Sequence, residues 1–197
     1  MRQLELRLHP RGGKRKGAGR KPNGKTAGVS HLRREAFART LPVHVTMRMG
    51  RHVYNLRSRR AFSVIARAMT KAAERFGMSI VRFSVQGNHV HLIVEAETND
   101  ALSRAMQGFT IRVAKGLNKM MKKRGRVVGD RYHAHVLRTP TEVRRAVRYV
   151  RDNHRKHAEQ RGRVLSRAFV DVFALEGSCV ALPEARTWLL RAGASPP

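Results

Sequence analysis

The stretch Gly87-Asn88-His89-Val90-His91-Leu92-Ile93-Val94-Glu95 narrows most what this chain can become. Polar and apolar residues alternate through its centre, and such a period of two reads as a half-buried strand. On that strand His89 and His91 share one face, followed by Ile93 and Glu95, while Val90, Leu92 and Val94 point the other way into a core. Two imidazoles side by side on a rigid strand can supply two nitrogen ligands to one divalent ion. The chain has ten histidines, so one His-x-His pair also arises by chance. By itself the pair leaves metal binding and a plain polar strand face both open.

The neighbouring segments supply a frame for this strand. Order is expected from about Pro42, with a β-branched, alternating first strand over residues 43–49. Ser58 can cap a helix running to about Phe76, with Ala61, Phe62, Ile65, Ala68, Met69 and Ala72 at three-and-four spacing and Gly77 as its stop. A second strand over 79–86 reaches Gly87-Asn88, a tight turn that makes the His-bearing strand its hairpin partner. Thr98-Asn99-Asp100 offers caps for a second helix, striped by Leu102, Met106, Phe109, Val113, Leu117 and Met120. A turn at Gly125 leads to a strand over 132–138. Thr139-Pro140-Thr141-Glu142 then starts a helix, with Thr139 as cap, Pro140 in the first turn and Glu142 at the capping-box position. That helix runs to about His157, burying Val143, Ala146, Val147 and Val150 and facing Arg144, Arg145, Arg148, Arg151 and Arg155 outward. Tyr149 and Asn153 stand four apart on the border between the two faces. Strand, helix, strand, strand, helix, strand, helix is the order of an α+β protein with a ferredoxin-like antiparallel sheet and helices packed on it.

Charge decides the partner class. Against 42 Lys plus Arg stand 13 Asp plus Glu, a formal net charge of +29. A field of that sign calls for a polyanion, and nucleic acid fits best because the cations recur along the whole chain. No run long and apolar enough to span a membrane and no secretory signal is evident, so the expectation is a protein without a membrane partner, compatible with a cytoplasmic setting. The single cysteine, Cys179, excludes an intramolecular disulfide and a cysteine-based zinc site, and reads as a small buried residue. Residues 1–40 form a basic, disordered N-terminal arm too rich in Gly and cations to fold alone. Within it Gly19-Arg20-Lys21-Pro22 looks like a minor-groove hook, with a solvated tail touching phosphates as the alternative. Residues 41–160 form the folded domain, and 161–197 a partly helical tail expected to dock on it. Candidate DNA contacts are Arg20 and Lys21 in the arm, Lys115, Lys119, Lys122 and Lys123 near the end of the second helix, and Arg144, Arg148 and Arg151 on the third.

Three segments in order resemble the single-tyrosine HUH transposases, above all the REP-associated and insertion-sequence-200-like branch. They are Gly87-Asn88-His89-Val90-His91, Asp130-Arg131-Tyr132-His133-Ala134-His135-Val136-Leu137-Arg138, and Tyr149-Val150-Arg151-Asp152-Asn153. The resemblance covers about residues 42–157. It departs at His154, where the family usually has proline.

The resemblance implies DNA strand cleavage and rejoining, with Tyr149 as nucleophile forming a covalent 5′-phosphotyrosine and freeing a 3′ hydroxyl. It implies Asn153 as an oxygen ligand beside His89 and His91, with Mg2+ or Mn2+ as the ion, although paired imidazoles also suit zinc. The implied substrate is single-stranded or hairpin-tipped DNA, and the family often works as a homodimer. Tyr132 is the rival nucleophile, and otherwise an aromatic strand residue. Glu95 and Gln86 are candidates for supporting roles. The competing functional class is a catalytically inactive, domesticated DNA-binding protein of the same fold.

Overall fold

A computed structural model describes residues 36, 37 and 39–194. The arm expected over residues 1–40, with Arg20 and Lys21, lies outside the described residues save for its last few positions. The elements follow the expected order: β1 (Leu41–Arg48), α1 (Arg59–Ala72), β2 (Glu74–Arg75), β3 (Met78–Val85), β4 (His89–Ala96), α2 (Asn99–Met121), β5 (His133–Val136), α3 (Pro140–Glu159), a 3-10 turn (Leu175–Gly177) and α4 (Trp188–Ala194). The sheet has five strands in the order β2-β3-β4-β1-β5, and every pair is antiparallel. Without the two-residue β2, the remaining order is that of a ferredoxin-like sheet.

Local chemistry explains the helix starts. Ser58 accepts from Ala61 N and Thr98 from Ala101 N. Thr139 and Glu142 form a complete capping box ahead of α3, which satisfies two orphan amides reciprocally. Helix ends were harder to read from sequence. α1 stops at Ala72 rather than near Phe76 because Glu74 and Arg75 pair with Ser79 and Met78 as a small hairpin. Phe76 and Gly77 both take positive φ there, 55° and 72°, the left-handed geometry of a two-residue hairpin turn. α2 likewise ends on Lys122 in the left-handed conformation, ahead of the turn expected at Gly125.

The sheet separates two layers of different character. Val43, Val45, Met47, Phe83, Val90, Leu92 and Val94 face α1 and α2 and join a large dry core with Ile65, Met69, Met106, Phe109 and Leu117. α1 and α2 meet closely at Gly116, where an added Cβ would lie 2.5 Å from Val64 Cγ1. The opposite face carries a much smaller apolar cluster, in which Val81, Ile93 and Leu137 meet Val143, Ala146, Val147 and Val150 of α3 and Leu190 of α4. The strand register leaves the rest of that face polar, because His44 pairs with Ile93 and His135, Thr46 with His91 and His133, and Arg48 with His89.

The segment after α3 docks as a strap. Val85 N donates to Phe173 O and Ser84 bridges Ala174, beside the end of β3. Arg57 holds Asp171 with two hydrogen bonds of 2.8 and 2.7 Å, and the Asp171 side chain is 1% exposed. Arg155 donates to the carbonyls of Leu165, Ser166, Arg167 and Phe169, fastening the strap to α3. Cys179, expected to be buried, is exposed on this strap. No helix among the described residues is long and apolar enough to cross a membrane.

Candidate active site

The two strand histidines lie where the alternation puts them, on the α3 side of the sheet. His91 is 3% exposed and His89 is half-buried near the β3–β4 turn. Their rings meet edge to face at 4.8 Å between centroids. Each has its Nδ1 engaged: His89 Nδ1 lies 2.8 Å from Asn88 Oδ1, and His91 Nδ1 lies 3.1 Å from Thr46 Oγ1 and 3.2 Å from His44 Nε2. Holding Nδ1 in this way turns Nε2 outward as the free nitrogen.

The α3 helix delivers the other half of the site. It packs over β3 and β4 through its apolar stripe, which lays one flank across the imidazoles. Tyr149 sits there with its ring 5.2 Å from that of His91 and 5.8 Å from that of His44, edge to face in both cases. One turn on, Asn153 is 2% exposed. A further turn on, the ring of His157 meets that of His89 at 5.6 Å. Tyr132 is on the other side of the sheet, packed against the α1–α2 core and lining a cleft with Met47, Thr110 and Ile111. The structure therefore brings Tyr149, His89 and His91 together, sets Asn153 between Tyr149 and His157 along the same helix, and leaves Tyr132 apart.

Burial sets the protonation of this cluster. His91 is lowered to about 3 by burial and then by the neighbouring His89, His44 and His157. Burial, with His157 and Arg48, brings His89 to about 4; burial, with His133 and His135, brings His44 to about 4. All three are thus neutral near pH 7, the form in which imidazole binds a metal.

Two buried polar atoms bear on whether a cation could be held here. His91 Nε2 and Asn153 Nδ2 are buried without a hydrogen-bond partner, a costly condition that calls for an explanation. Turning the Asn153 amide over puts its oxygen in place of Nδ2. Among the described residues no three His, Cys, Asp or Glu side chains are placed to hold a metal. Any third donor beside the two neutral imidazoles would then be of another type, and a carboxamide oxygen is one that suits a divalent cation.

The other predicted residues play different parts. Glu95 accepts from Arg186 N, Thr187 N and Thr187 Oγ1 at 2.9, 2.7 and 2.6 Å, at the start of α4 and away from the histidines. Gln86 donates to Ser84 Oγ at 2.8 Å and lines a cleft beside His89. Arg151 is paired through two hydrogen bonds with Asp152, whereas Arg144 and Arg148 are exposed on the outer face of α3. Lys115, Lys119, Lys122 and Lys123 are exposed in the layer on the opposite side of the sheet. Sequence reasoning missed His44, Thr46 and His157. The spacing of four through Tyr149, Asn153 and His157 was the available signal for the last.

Fold and site together define an antiparallel α+β protein that sets paired strand histidines beneath a helical tyrosine. The chain belongs to the IS200-like transposase family, whose model matches residues 39–153; members are DNA-cleaving enzymes of DNA transposition. The structure of a REP-associated tyrosine transposase bound to a REP hairpin shares the fold, with a TM-score of 0.52 and 19% identity over 66% of this chain and 74% of that one. A putative transposase from Deinococcus radiodurans R1 aligns over 68% of this chain and 99% of its own, at 11% identity and a TM-score of 0.43. None of the curated proteins matches this chain.

Proposed function

We propose that this protein cuts and rejoins one strand of DNA through Tyr149, with a divalent cation, Mg2+ or Mn2+, held by His89, His91 and Asn153. The observation that carries this reading is the placing of the Tyr149 ring on that of His91, whose Nε2 is buried and unpartnered. A nucleophile must reach the reacting group before any other property matters, and only Tyr149 of the two candidates is on the histidine side.

When bound, the cation supplies charge neutralisation at a phosphate oxygen. The Tyr149 phenolic oxygen attacks phosphorus, an O–P bond forms to the tyrosine, and the bond from phosphorus to the 3′ oxygen breaks. The phenolic proton passes to solvent and the 3′ oxygen leaves as a hydroxyl. One phosphodiester replaces another, so the 3′ hydroxyl can reattack and restore the strand without an external energy source. α3 positions nucleophile and amide ligand as one rigid unit, because Tyr149 and Asn153 are one helical turn apart.

Hairpin-tipped DNA is the proposed substrate, by analogy with the hairpin held by the structural neighbour. Arg144 and Arg148 on α3 and the four lysines on the opposite layer are its proposed phosphate contacts.

The test is incubation of the protein with hairpin DNA carrying a single-stranded tail, in Mn2+ or Mg2+, followed by denaturing electrophoresis. A covalent protein–DNA adduct that vanishes in Tyr149→Phe is the expected result. Binding without an adduct would assign the chain to the inactive, DNA-binding class, and an adduct lost in Tyr132→Phe instead would move the nucleophile.

A further inference from the structure

A cleft of about 450 Å³ opens directly beside His89, within the roughly 300–1,000 Å³ range of ligand sites. One wall is the β3–β4 turn with Gln86 and Asn88, together with Asn55; the other is the end of α3 and the start of the strap. His89 and His157 line it as well as the site above, so the cleft is continuous with the histidine pair.

The lining chemistry is specific. None of the described residues that line the cleft is acidic, and Arg161 and Arg163 are exposed at it. Phe169 is 40% exposed, with its ring 5.5 Å from that of His154. His154 is 8% exposed; its Nδ1 lies 3.0 Å from the Arg151 carbonyl, while its Nε2 is buried without a partner. Asp171 Oδ2 also lies 3.7 Å from Nδ1; a proton held on Nδ1 by these two oxygens leaves Nε2 an acceptor lacking a donor. Asn55, Gln86 and Asn88 each use one end of the carboxamide within the protein, through Arg57 N, Ser84 Oγ and His89 Nδ1. Asn55 and Asn88 are exposed, so the other ends of their carboxamides remain for the edge of a base. An aromatic face, carboxamides, an unfilled acceptor and exposed guanidinium groups are the means by which proteins take up single-stranded nucleic acid.

The chain builds this wall through two features. α3 continues unbroken through His154 to Glu159 and carries His154 and His157 to the cleft. The four carbonyl bonds of Arg155 then fix the loop that bears Phe169, so the aromatic face is ordered in advance.

We propose that this cleft is a subsite for one unpaired nucleotide of the DNA strand, next to the phosphate presented at His89 and His91. Its base lies against Phe169 and offers an N–H to His154 Nε2, and its outward phosphate meets Arg161 and Arg163. The assignment rests on the strand-cleavage reading for the identity of the ligand.

The test places 2-aminopurine, or an abasic unit, at each position of the single-stranded tail of a hairpin DNA bound to the full chain. The expected result is fluorescence quenching at one position, and a loss of affinity on the order of tenfold when that base is removed. Phe169→Ala and His154→Ala should each abolish the quenching and make the abasic penalty vanish. Phe169 is partly exposed, so its truncation spares the core. Position-independent fluorescence, or discrimination that persists in both variants, overturns the subsite, and a covalent adduct in the same samples would leave the cleavage reading standing. Quenching that depends on Phe169 and His154 without an adduct would keep the subsite and overturn cleavage. Absence of any DNA binding overturns both.

Discussion

The two faces of this sheet are made from the same strands and do opposite work. Toward α1 and α2, β4 presents Val90, Leu92 and Val94 to a dry core that includes Phe83 and Phe109. Toward α3, the same strand presents His89 and His91 with unpartnered polar atoms nearby and a half-exposed tyrosine above. One face gathers apolar area; the other holds polar groups out of water at a cost in stability. The site is thus a locally unfavourable surface borne by a favourable one.

Tyr149→Phe should give the largest functional effect. Loss of the adduct by about a thousandfold or more is expected, with the unfolding free energy within roughly 0.5 kcal/mol of the parent, read by gel and by urea titration. A large stability change would mean that the functional face also supports the fold. Phe109→Ala is the converse: about 3–5 kcal/mol of lost stability is expected, with adduct formation retained by whatever fraction stays folded. The strap comes next. Asp171→Asn weakens the pairing of a largely buried Arg57 and should cost on the order of 3 kcal/mol, with faster hydrogen exchange over residues 165–174. Unchanged exchange there would show that the strap is held by its apolar contacts alone.

The smallest effect is one of pH. His91 is pushed to about 3 in the fold, from 6.5. Between those values the unfolded chain binds the extra proton, so stability should fall as pH falls from about 6.5. The loss assignable to His91 is on the order of 2–3 kcal/mol between pH 7 and pH 4.5. His91→Asn should flatten the acid limb of a urea-midpoint profile; an unaltered limb would place the acid sensitivity elsewhere.

Local codes were the legible part. Ser58, Thr98 and the Thr139–Glu142 box act within one turn and were readable directly. So was the division of β4 into two faces, because alternation is a property of the strand itself. The end of α1 was misjudged because Glu74 and Arg75 choose strand pairing with Met78 and Ser79 over another helical turn, a tertiary gain that outweighs propensity. Cys179 was misjudged because the strap docks through Asp171 and Phe173 and leaves that residue outside.

By itself the sequence determined the element order apart from β2, the helix starts, the charge and the His89–His91 pair, while its resemblance to a family nominated Tyr149 and Asn153. Only the tertiary structure decided that Tyr149 and not Tyr132 is on the histidine side, that His44 and Thr46 hold the back of His91, and that His154, His157 and Phe169 border one cleft. The reason is range. Caps and alternation act over a few residues, whereas these contacts require β1 to pair beside β4 and α3 to lie across both, and no short window of chain encodes where distant segments meet.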